Sequence, residues 1–337
     1  MLDSLNYLEA KQRKIDRWLP QPKATLDARA TGGGAETERE AAQRIIADKS
    51  LFNAVYLPHL DNESRTQIYF GGSSSGKSKF IIGQRAVLRL LQGDHNFLIC
   101  RQNKNTVRGS VATEIARVIE EWELEKFFNI NKTDGTVTCT NGFQAVFAGL
   151  DDVLKLKSIV YKKGALTDVI VEEATETEKK SIKQLMKRQR GLTESGTKKT
   201  ITLVFNPILR SNWIYTDYFE RLEWADDQTE YKSDQLSILK TTYKDNAFLE
   251  QTEIDDLENE TDKYYYDVYT LGKWGILGHV IFTNWTVQDL SGMAAQFTNR
   301  RNGLDFGFSS HPAAVGRTHY DSRRKTIYIF DELYETG

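Results

Sequence analysis

The sequence predicts an α/β fold built on a mostly parallel sheet, followed by the start of a second domain. Between residues 66 and 207, short strands rich in β-branched and aromatic residues alternate with helical stretches. This alternation is typical of a parallel sheet with helices on its faces. From about residue 276 the pattern changes to short strands joined by tight turns. The length agrees with two domains, because 337 residues exceed the roughly 100–200 that one domain usually has.

Composition excludes several classes of protein. With 39% apolar and 27% charged residues, 5 prolines and 2 cysteines, the chain is not collagen-like, disordered or held together by many disulfides. No apolar run approaches the roughly 20 residues that a membrane span needs, so we expect no membrane contact. Cys100 and Cys139 are not clustered, which favours a reducing cytosol. Acidic and basic residues nearly balance, at 47 and 45, so nucleic acid would have to bind a local basic patch.

Four segments are expected along the chain. Residues 1–50 form an N-terminal helical arm, residues 51–210 the α/β core, residues 211–275 a helical lid or linker subdomain, and residues 276–337 the first part of the second domain. Within the core, Asn141-Gly142 between two apolar runs indicates a β-hairpin with a type I′ turn. The expected strands of the parallel sheet are residues 67–70, 97–101, 168–171 and 200–205. The expected strands of the second domain are residues 280–285, 304–308, 313–320 and 326–334.

The strongest local signal is a complete phosphate-binding loop (P-loop) at residues 71–78. In this pattern backbone N–H groups face the β-phosphate, Lys77 reaches the β- and γ-phosphate oxygens, and the Ser78 hydroxyl ligates Mg²⁺. A strand is expected before the loop and an apolar-periodic helix after it, which places the phosphates at a helix N-terminus. The alternative, a chance Gly/Ser turn, is disfavoured by this context. The residues expected to bind the nucleotide here are Gly71, Gly72, Ser73, Ser74, Ser75, Gly76, Lys77 and Ser78.

Two consecutive acids, Glu172 and Glu173, follow the expected strand 168–171. Glu172 ends the apolar run and is expected to hold Mg²⁺, whereas Glu173 is expected to polarise the attacking water. A doubled acid indicates a nucleoside triphosphatase that carries its own catalytic glutamate. The alternative is an ordinary strand-to-helix junction, because acids also favour a helix N-terminus.

Three further residues are candidates for the same chemistry. Asn206 ends strand 200–205 and is a candidate γ-phosphate sensor, although Asn-Pro also simply starts turns. Arg101 and Arg108 lie at and just beyond the end of strand 97–101. Either arginine is a candidate to neutralise charge on the leaving phosphate, in cis or from a neighbouring subunit. The alternative for each is a structural or DNA-contacting role.

Residues 179–190 predict a basic helix, because six of these twelve residues are Lys or Arg. Such a face can bind phosphates by releasing counterions, although a charged run is more often only a solvated face. The six residues are Lys179, Lys180, Lys183, Lys187, Arg188 and Arg190.

Asp305 is expected inside strand 304–308. An aspartate in the middle of an apolar strand is costly unless it binds something, and in two-metal nucleases such a residue bridges both ions. The alternative is a turn before Gly307. Glu332 is a possible auxiliary acid, and Asp331 and Glu335 are weaker candidates.

With these motifs in this order, the sequence resembles the large terminase subunits of tailed double-stranded DNA phages, nearest to the PBSX-type branch. The resemblance spans about residues 50–337 and is carried by residues 71–78, 154–159, 170–174, 241–246 and 303–307. It implies an ATP-driven motor that moves DNA into a prohead. It also implies a DNA endonuclease of the RNase H-like fold that uses Mg²⁺ or Mn²⁺. That nuclease would be incomplete here, because the family's second and third acids lie beyond residue 337.

The same resemblance assigns roles to individual residues. Lys77 and Ser78 match the Walker A positions, and Glu172 and Glu173 match the Walker B and catalytic glutamate positions. Asn206 matches the coupling motif and Asp305 the first nuclease aspartate. The implied cofactors are ATP and Mg²⁺; the implied partners are duplex DNA, the small terminase subunit, the portal protein and further copies in a pentameric ring, in the host cytoplasm. The alternatives are a DNA helicase or repair ATPase, which would not need Asp305, a non-enzymatic DNA-binding adaptor and, more weakly, a metabolic kinase.

Overall fold

The computed structural model describes residues 36–131, 133–150, 156, 159–193, 196–275, 286, 288–305 and 313–335. The chain divides into two compact units, residues 1–277 and 278–337. Most of the expected N-terminal arm and the expected strand 280–285 lie outside the described residues. The described end of the arm is helical, and the helix begins with a capping box in which Thr37 and Glu40 bond reciprocally.

The first unit alternates helices with strands, as the sequence predicts. A π-helical segment, Lys79–Arg85, continues directly into the second helix. In chain order the elements are α1 (Glu38–Ala47), β1 (Thr66–Gly71), α2 (Ala86–Gln92), β2 (Phe97–Arg101), α3 (Lys104–Glu121), β3 (Phe128–Asn131), β4 (Thr136–Cys139), β5 (Gln144–Gly149), β6 (Asp168–Glu172), α4 (Lys179–Arg188), β7 (Thr200–Phe205), β8 (Glu230–Lys232), β9 (Leu236–Thr241), α5 (Gln251–Glu258) and α6 (Lys263–Tyr265).

These strands form one sheet of nine strands within the described part of the chain, in the order β3-β4-β5-β2-β6-β7-β1-β9-β8. The six strands β5, β2, β6, β7, β1 and β9 run parallel to one another, whereas β4 and β8 pair with the ends of this group antiparallel. At the centre, Ile68 of β1 lies opposite Leu203 of β7 on one side and Ile238 of β9 on the other. The α/β fold with a parallel core sheet is therefore confirmed.

Both faces of the sheet are covered, which explains why its central strands are almost continuously apolar. Every residue of β1, β6 and β7 is buried. On one face Phe80, Leu90 and Ile115 belong to a cluster contributed by the π-helical segment, α2 and α3. On the other face Leu185 of α4 packs in a cluster with Trp274.

The prediction of a helical segment over residues 211–275 is wrong for residues 230–241. This stretch forms β8 and β9, and β9 pairs along the whole length of β1. Strand β9 has only six residues (Leu-Ser-Ile-Leu-Lys-Thr), and an apolar run this short does not by itself distinguish a strand from a helix. The strand conformation of β9 is stabilised by its pairing with β1, about 170 residues earlier in the sequence, which the local sequence pattern does not reveal.

The prediction of a type I′ turn at Asn141-Gly142 is also wrong, although the hairpin itself forms between β4 and β5. A type I′ turn needs positive φ at both central residues, but of these two residues only Gly142 has it, at +95°. The Asn141 side chain instead donates to the Leu90 carbonyl at 2.7 Å and accepts from the Phe143 N–H at 3.1 Å. The local bond to Phe143 and the tertiary bond to Leu90 together hold Asn141 outside the left-handed region that a type I′ turn requires.

A buried ion pair ties α2 to the beginning of β6. Arg89 Nη1 lies 2.7 Å from Asp168 Oδ1, and His95 Nδ1 lies 2.7 Å from Asp168 Oδ2. The Thr200 hydroxyl donates to the same carboxylate at 3.0 Å. Burial by itself would raise the pKa of Asp168, but Arg89 and His95 outweigh it and lower the pKa below its usual range. The carboxylate is therefore ionised at all physiological pH values.

The second unit contains a three-stranded antiparallel sheet, and Phe297 packs against His319 and Tyr328 with ring centroids 4.5 and 5.2 Å apart. Four other apolar side chains of this sheet are more than half exposed: Leu304, Ile327, Ile329 and Leu333. Its elements are α7 (Ser291–Ala294), β10 (Arg300–Asp305), β11 (Ala313–Asp321) and β12 (Thr326–Glu335). In the described part of the chain, no helix combines the length and apolarity that crossing a membrane requires.

We expect Asp168→Asn to lower the free energy of unfolding by about 3–5 kcal/mol, because it leaves the Arg89 guanidinium buried without a counter-charge. Urea unfolding followed by circular dichroism measures this change. The matched control is the double variant Arg89→Met/Asp168→Leu, which removes both charges and should cost much less. Equal losses for the two variants would contradict a role of the ion pair beyond packing.

Candidate active site

A cavity of about 200 Å³ opens at the carboxyl ends of β1, β6 and β7. In open parallel sheets ligands bind at this edge, because the loops that follow the strands converge there. The cavity is lined by Ser73, Ser74, Lys77, Ser78, Glu172, Glu173, Val204, Phe205 and Asn206. The structure thus brings the predicted P-loop, the two acids and Asn206 around one space.

The path of the P-loop requires glycine at its first residue. Gly71 has a φ of +142°, and a Cβ built there would lie 1.8 Å from the Thr241 carbonyl oxygen of β9. Gly76 has a φ of +82° at the turn into the following helix. Ser74, at the tip of the loop, is a non-glycine residue in the left-handed region, with a φ of +55°. Such a residue is strained unless neighbouring groups hold it.

Lys77 is only 6% exposed and folds back over the loop. Its Nζ donates to the Gly72 carbonyl at 2.6 Å and to the Ser75 hydroxyl at 3.1 Å. Burial lowers the pKa of Lys77 to about 8, against the opposing influence of Glu173. The side chain is thus a cation at neutral pH that is incompletely compensated by its surroundings.

The acid pair projects from the end of β6. Glu172 is buried, at 6% exposure, whereas Glu173 is partly exposed and has a left-handed backbone with φ of +51°. Burial raises the pKa of Glu173, the neighbouring Glu172 carboxylate raises it further, and Arg101 and Lys77 act in the opposite direction. A carboxylate with a raised pKa facing a cavity is suited to accept a proton from water.

Arg101, at the end of β2, contacts both acids. Its Nε donates to Glu172 Oε2 at 2.7 Å, and its Nη2 lies 3.5 Å from Glu173 Oε1. Of the two arginines predicted from the sequence, Arg101 therefore adjoins the site. Arg108 lies in α3, in a stretch where the structure does not describe side chains.

Asn206, the residue that follows β7, bonds to the P-loop. Its Nδ2 donates to the Gly71 carbonyl at 2.9 Å. A displacement of the P-loop would therefore change the hydrogen bond at the end of β7.

Sequence reasoning missed a pair of asparagines that holds the tip of the P-loop. Asn246 Nδ2 donates to the Ser74 carbonyl at 2.7 Å, and Asn246 Oδ1 accepts from Asn53 Nδ2 at 3.1 Å. The Tyr56 hydroxyl donates to the Ser75 carbonyl at 2.9 Å. Asn246 belongs to residues 241–246, which contributed to the family resemblance but were assigned no function. Nothing in the sequence distinguishes Asn53 or Tyr56.

The P-loop also contacts the chain after α6. The Ser73 N–H donates to the Tyr269 carbonyl at 2.6 Å. Gly272 has a φ of +60°, and a Cβ there would lie 2.7 Å from the Cα of Gly71. Residues 269–272 therefore lie directly against the first residues of the loop.

The oxygen donors in the cavity fit a magnesium ion. The Ser78 hydroxyl and the Glu172 carboxylate both line it, and Mg²⁺ prefers few protein oxygens together with phosphate oxygens. Within the described residues, no cluster of three or more His, Cys, Asp or Glu side chains could hold a metal ion.

Asp305 lies in the second unit, as the last residue of β10, and it is exposed. It pairs with Ala314 of β11, while Glu332 of β12 pairs with Gly316. The acids that would complete a two-metal site with Asp305 are not found among the described residues. The nuclease role of Asp305 therefore stays a prediction.

The fold, and the residues at the carboxyl edge of its sheet, are those of a P-loop nucleoside triphosphatase. Strand β7 lies between β1, which leads into the P-loop, and β6, which ends in the acid pair. The model of the phage terminase large subunit family matches residues 63–273. The chain belongs to this family.

Two curated relatives are similar over most of the chain. The large terminase subunit of Bacillus phage SPP1 is 28% identical over 275 residues, which cover 79% of this chain and 63% of that protein. The PBSX phage terminase large subunit of Bacillus subtilis (strain 168) is 27% identical over 299 residues, covering 82% of this chain and 67% of that protein. The chain thus spans about two thirds of the length of these relatives.

Among solved structures, the large terminase from a thermophilic bacteriophage is similar in fold. It aligns with a TM-score of 0.50 at 16% identity, covering 88% of this chain and 68% of that protein. A second structure of that terminase, in complex with ATP-γ-S, aligns with the same TM-score at 15% identity.

We expect Asn246→Ala to weaken ADP binding about tenfold, because the Ser74 carbonyl loses its donor and the strained tip of the P-loop loses its support. Isothermal titration calorimetry measures the dissociation constant. Asn259→Ala, at an exposed asparagine just after α5, is the matched control and should bind like the wild type. An unchanged affinity for Asn246→Ala would show that the loop keeps its shape without the asparagine pair.

We also expect ADP affinity to fall about tenfold between pH 7 and pH 9. The pKa of Lys77 is about 8 without nucleotide, so at higher pH the lysine must first take up a proton to bind phosphate. The test is a series of ADP titrations across this range. Lys77→Arg is the control, because its guanidinium does not titrate there and its affinity should not follow this profile. A flat profile for the wild type would contradict the lowered pKa.

Proposed function

We propose that the protein is an ATPase whose hydrolysis cycle drives double-stranded DNA into a phage prohead. The observation that carries this proposal is that Lys77 and Glu173 line one cavity at the carboxyl edge of the sheet. The lysine suits the β- and γ-phosphates of ATP, and the glutamate suits the water that attacks the γ-phosphate. Family membership supports the packaging role.

In the proposed reaction the P-loop binds and orients the triphosphate. Lys77 places its charge near the β- and γ-phosphates, and Ser78 and Glu172 would hold Mg²⁺, which neutralises phosphate charge when bound. Glu173 accepts a proton as the water oxygen bonds to the γ-phosphorus. The bond between that phosphorus and the β,γ-bridging oxygen breaks, and ADP is the leaving group. Arg101, next to both acids, is the candidate to offset charge on the transferred group.

The contacts of the P-loop suggest how hydrolysis is coupled to movement. Asn206 bonds to Gly71, and the Tyr269 carbonyl accepts from the Ser73 N–H. We propose that loss of the γ-phosphate shifts the loop and that these contacts carry the shift into residues 211–275. Small shifts at a ligand site are commonly transmitted in this way, because packed segments switch between two discrete arrangements.

The family also suggests a second activity and a set of partners. We propose that residues 276–337 begin an RNase H-like endonuclease domain that cuts concatemeric DNA, with Asp305 as its first ligand of Mg²⁺ or Mn²⁺. The proposed partners are duplex DNA, the small terminase subunit, the portal protein and further copies in a ring, which is a pentamer, in the host cytoplasm. Because the chain spans about two thirds of its relatives, these assignments concern the complete protein.

The decisive test compares ATP hydrolysis by the wild type and Glu173→Gln. We expect at least a 100-fold loss of kcat for the variant, because it lacks a proton acceptor, while its affinity for ADP stays within about threefold. Lys77→Ala should lose both hydrolysis and nucleotide binding. A coupled assay of ADP release measures the first quantity and calorimetry the second.

Duplex DNA separates the packaging motor from a helicase. We expect duplex DNA to stimulate hydrolysis more than single-stranded DNA of the same length, and no strand separation to occur. Stronger stimulation by single strands together with unwinding would favour the helicase. Hydrolysis that persists unchanged in Glu173→Gln and Lys77→Ala would refute the assignment of the site.

A further inference from the structure

Helix α4 presents a basic face that the proposed chemistry of the site does not use. Its ten residues contain no acid, although acids outnumber bases in the chain as a whole. Ser181, Ile182 and Leu185 are buried against the sheet. Lys183 and Lys187 are exposed and follow Lys179 at intervals of four residues, so the three lysines lie on the same side of the helix.

The charges at the beginning of α4 disfavour the isolated helix, whereas Lys187 and Arg188 in its last turn agree with the helix dipole. Lys179 and Lys180 occupy the first turn, where the helix dipole favours anions. Like charges four residues apart also repel one another, as Lys179, Lys183 and Lys187 must. The residue before the helix, Glu178, makes no capping hydrogen bond with its side chain. A sequence that accepts several local penalties at one surface usually gains something there from another molecule.

Among the described residues, ion pairs neutralise the beginning of the helix and not its end. Lys179 pairs with Asp217 at 2.6 Å, and Lys180 pairs with Glu178 at 2.6 Å. Neither Lys183 nor Lys187 makes an ion pair with another residue in the described part of the chain. The half of the face nearest the C-terminal end of α4 therefore carries uncompensated positive charge.

We propose that the exposed face of α4 that carries Lys183 and Lys187 binds the phosphate backbone of duplex DNA. The inference rests on the proposed packaging function, and it assigns to that function a contact surface on the ATPase unit. Residues four apart on a helix are separated by about 6 Å, so a row of such lysines can contact successive phosphates of one strand. With a net charge of −2, the chain needs a local patch of this kind to bind a polyanion.

The position of α4 would also let bound DNA influence Glu173 through a short connecting segment of backbone. The helix begins six residues after Glu173, counting from residue 173 to residue 179. The connecting residues are fixed to the following part of the chain, because Trp213 Nε1 donates to the Thr177 carbonyl at 2.7 Å. Asn212 Nδ2 likewise donates to the Thr175 carbonyl at 2.9 Å. A phosphate contact on α4 would therefore act on the backbone that orients Glu173.

The test is the double variant Lys183→Gln/Lys187→Gln, compared with a control that removes two exposed lysines elsewhere, Lys49→Gln/Lys232→Gln. Fluorescence anisotropy with a labelled duplex at several salt concentrations gives the binding constant and its salt dependence. We expect the slope of log K against log salt to become less steep by about 1.8 for the α4 variant, which is about 0.9 for each lost phosphate contact. The control should keep the wild-type slope.

ATP hydrolysis supplies a second readout in the same proteins. Basal hydrolysis without DNA should be the same in wild type, control and α4 variant, whereas stimulation by duplex should fall at least threefold in the α4 variant alone. Equal salt slopes and equal stimulation in the two double variants would overturn the inference, even if hydrolysis depends on Lys77 and Glu173 as proposed. An equal loss of single-strand and duplex binding would overturn the assignment to duplex DNA. A wild type without Lys77-dependent hydrolysis would instead count against the proposed function.

Discussion

The close approach of two backbones, Gly71 of β1 and Thr241 of β9, is the constraint on which the site depends. Since a Cβ at residue 71 would lie 1.8 Å from the Thr241 carbonyl oxygen, only glycine allows β1 to end where it does. That ending puts the P-loop between the ends of β7 and β9, within reach of Asn206 and of the chain near Gly272. The parallel sheet thus sets the shape of the loop as well as its position.

The charged side chains around the cavity are only partly compensated by one another, and an anionic ligand would compensate the buried lysine. Two cations, Lys77 and Arg101, lie beside two acids, Glu172 and Glu173, at one edge of the sheet. Burial moves the pKa of Lys77 down and that of Glu173 up, so both groups are held closer to neutrality than in solution. A bound polyphosphate would stabilise the charged lysine, which links occupancy of the site to its electrostatic balance.

The sequence predicted those parts of the molecule that depend on local pattern. The P-loop, the two acids at the end of β6 and most strands of the core have a residue signature within a few positions. Strand β9 and the conformation of Asn141 do not, because each depends on a partner far along the chain. The same is true of Asn53, whose side chain bonds to Asn246 and to the Ala247 N–H, almost 200 residues later in the chain. Long-range contacts of this kind leave no periodicity in a single sequence.

The bond between Asn53 and Asn246 joins residues 193 positions apart, and this has a consequence for biosynthesis. The nucleotide pocket is closed by contacts between residues far apart in the sequence, and such contacts require a long loop to close first. A growing chain on the ribosome that has passed the P-loop and the acids still lacks the segment that holds the loop. We therefore expect nucleotide to bind more tightly to chains in which residues up to about 272 have emerged and docked against the P-loop than to shorter chains.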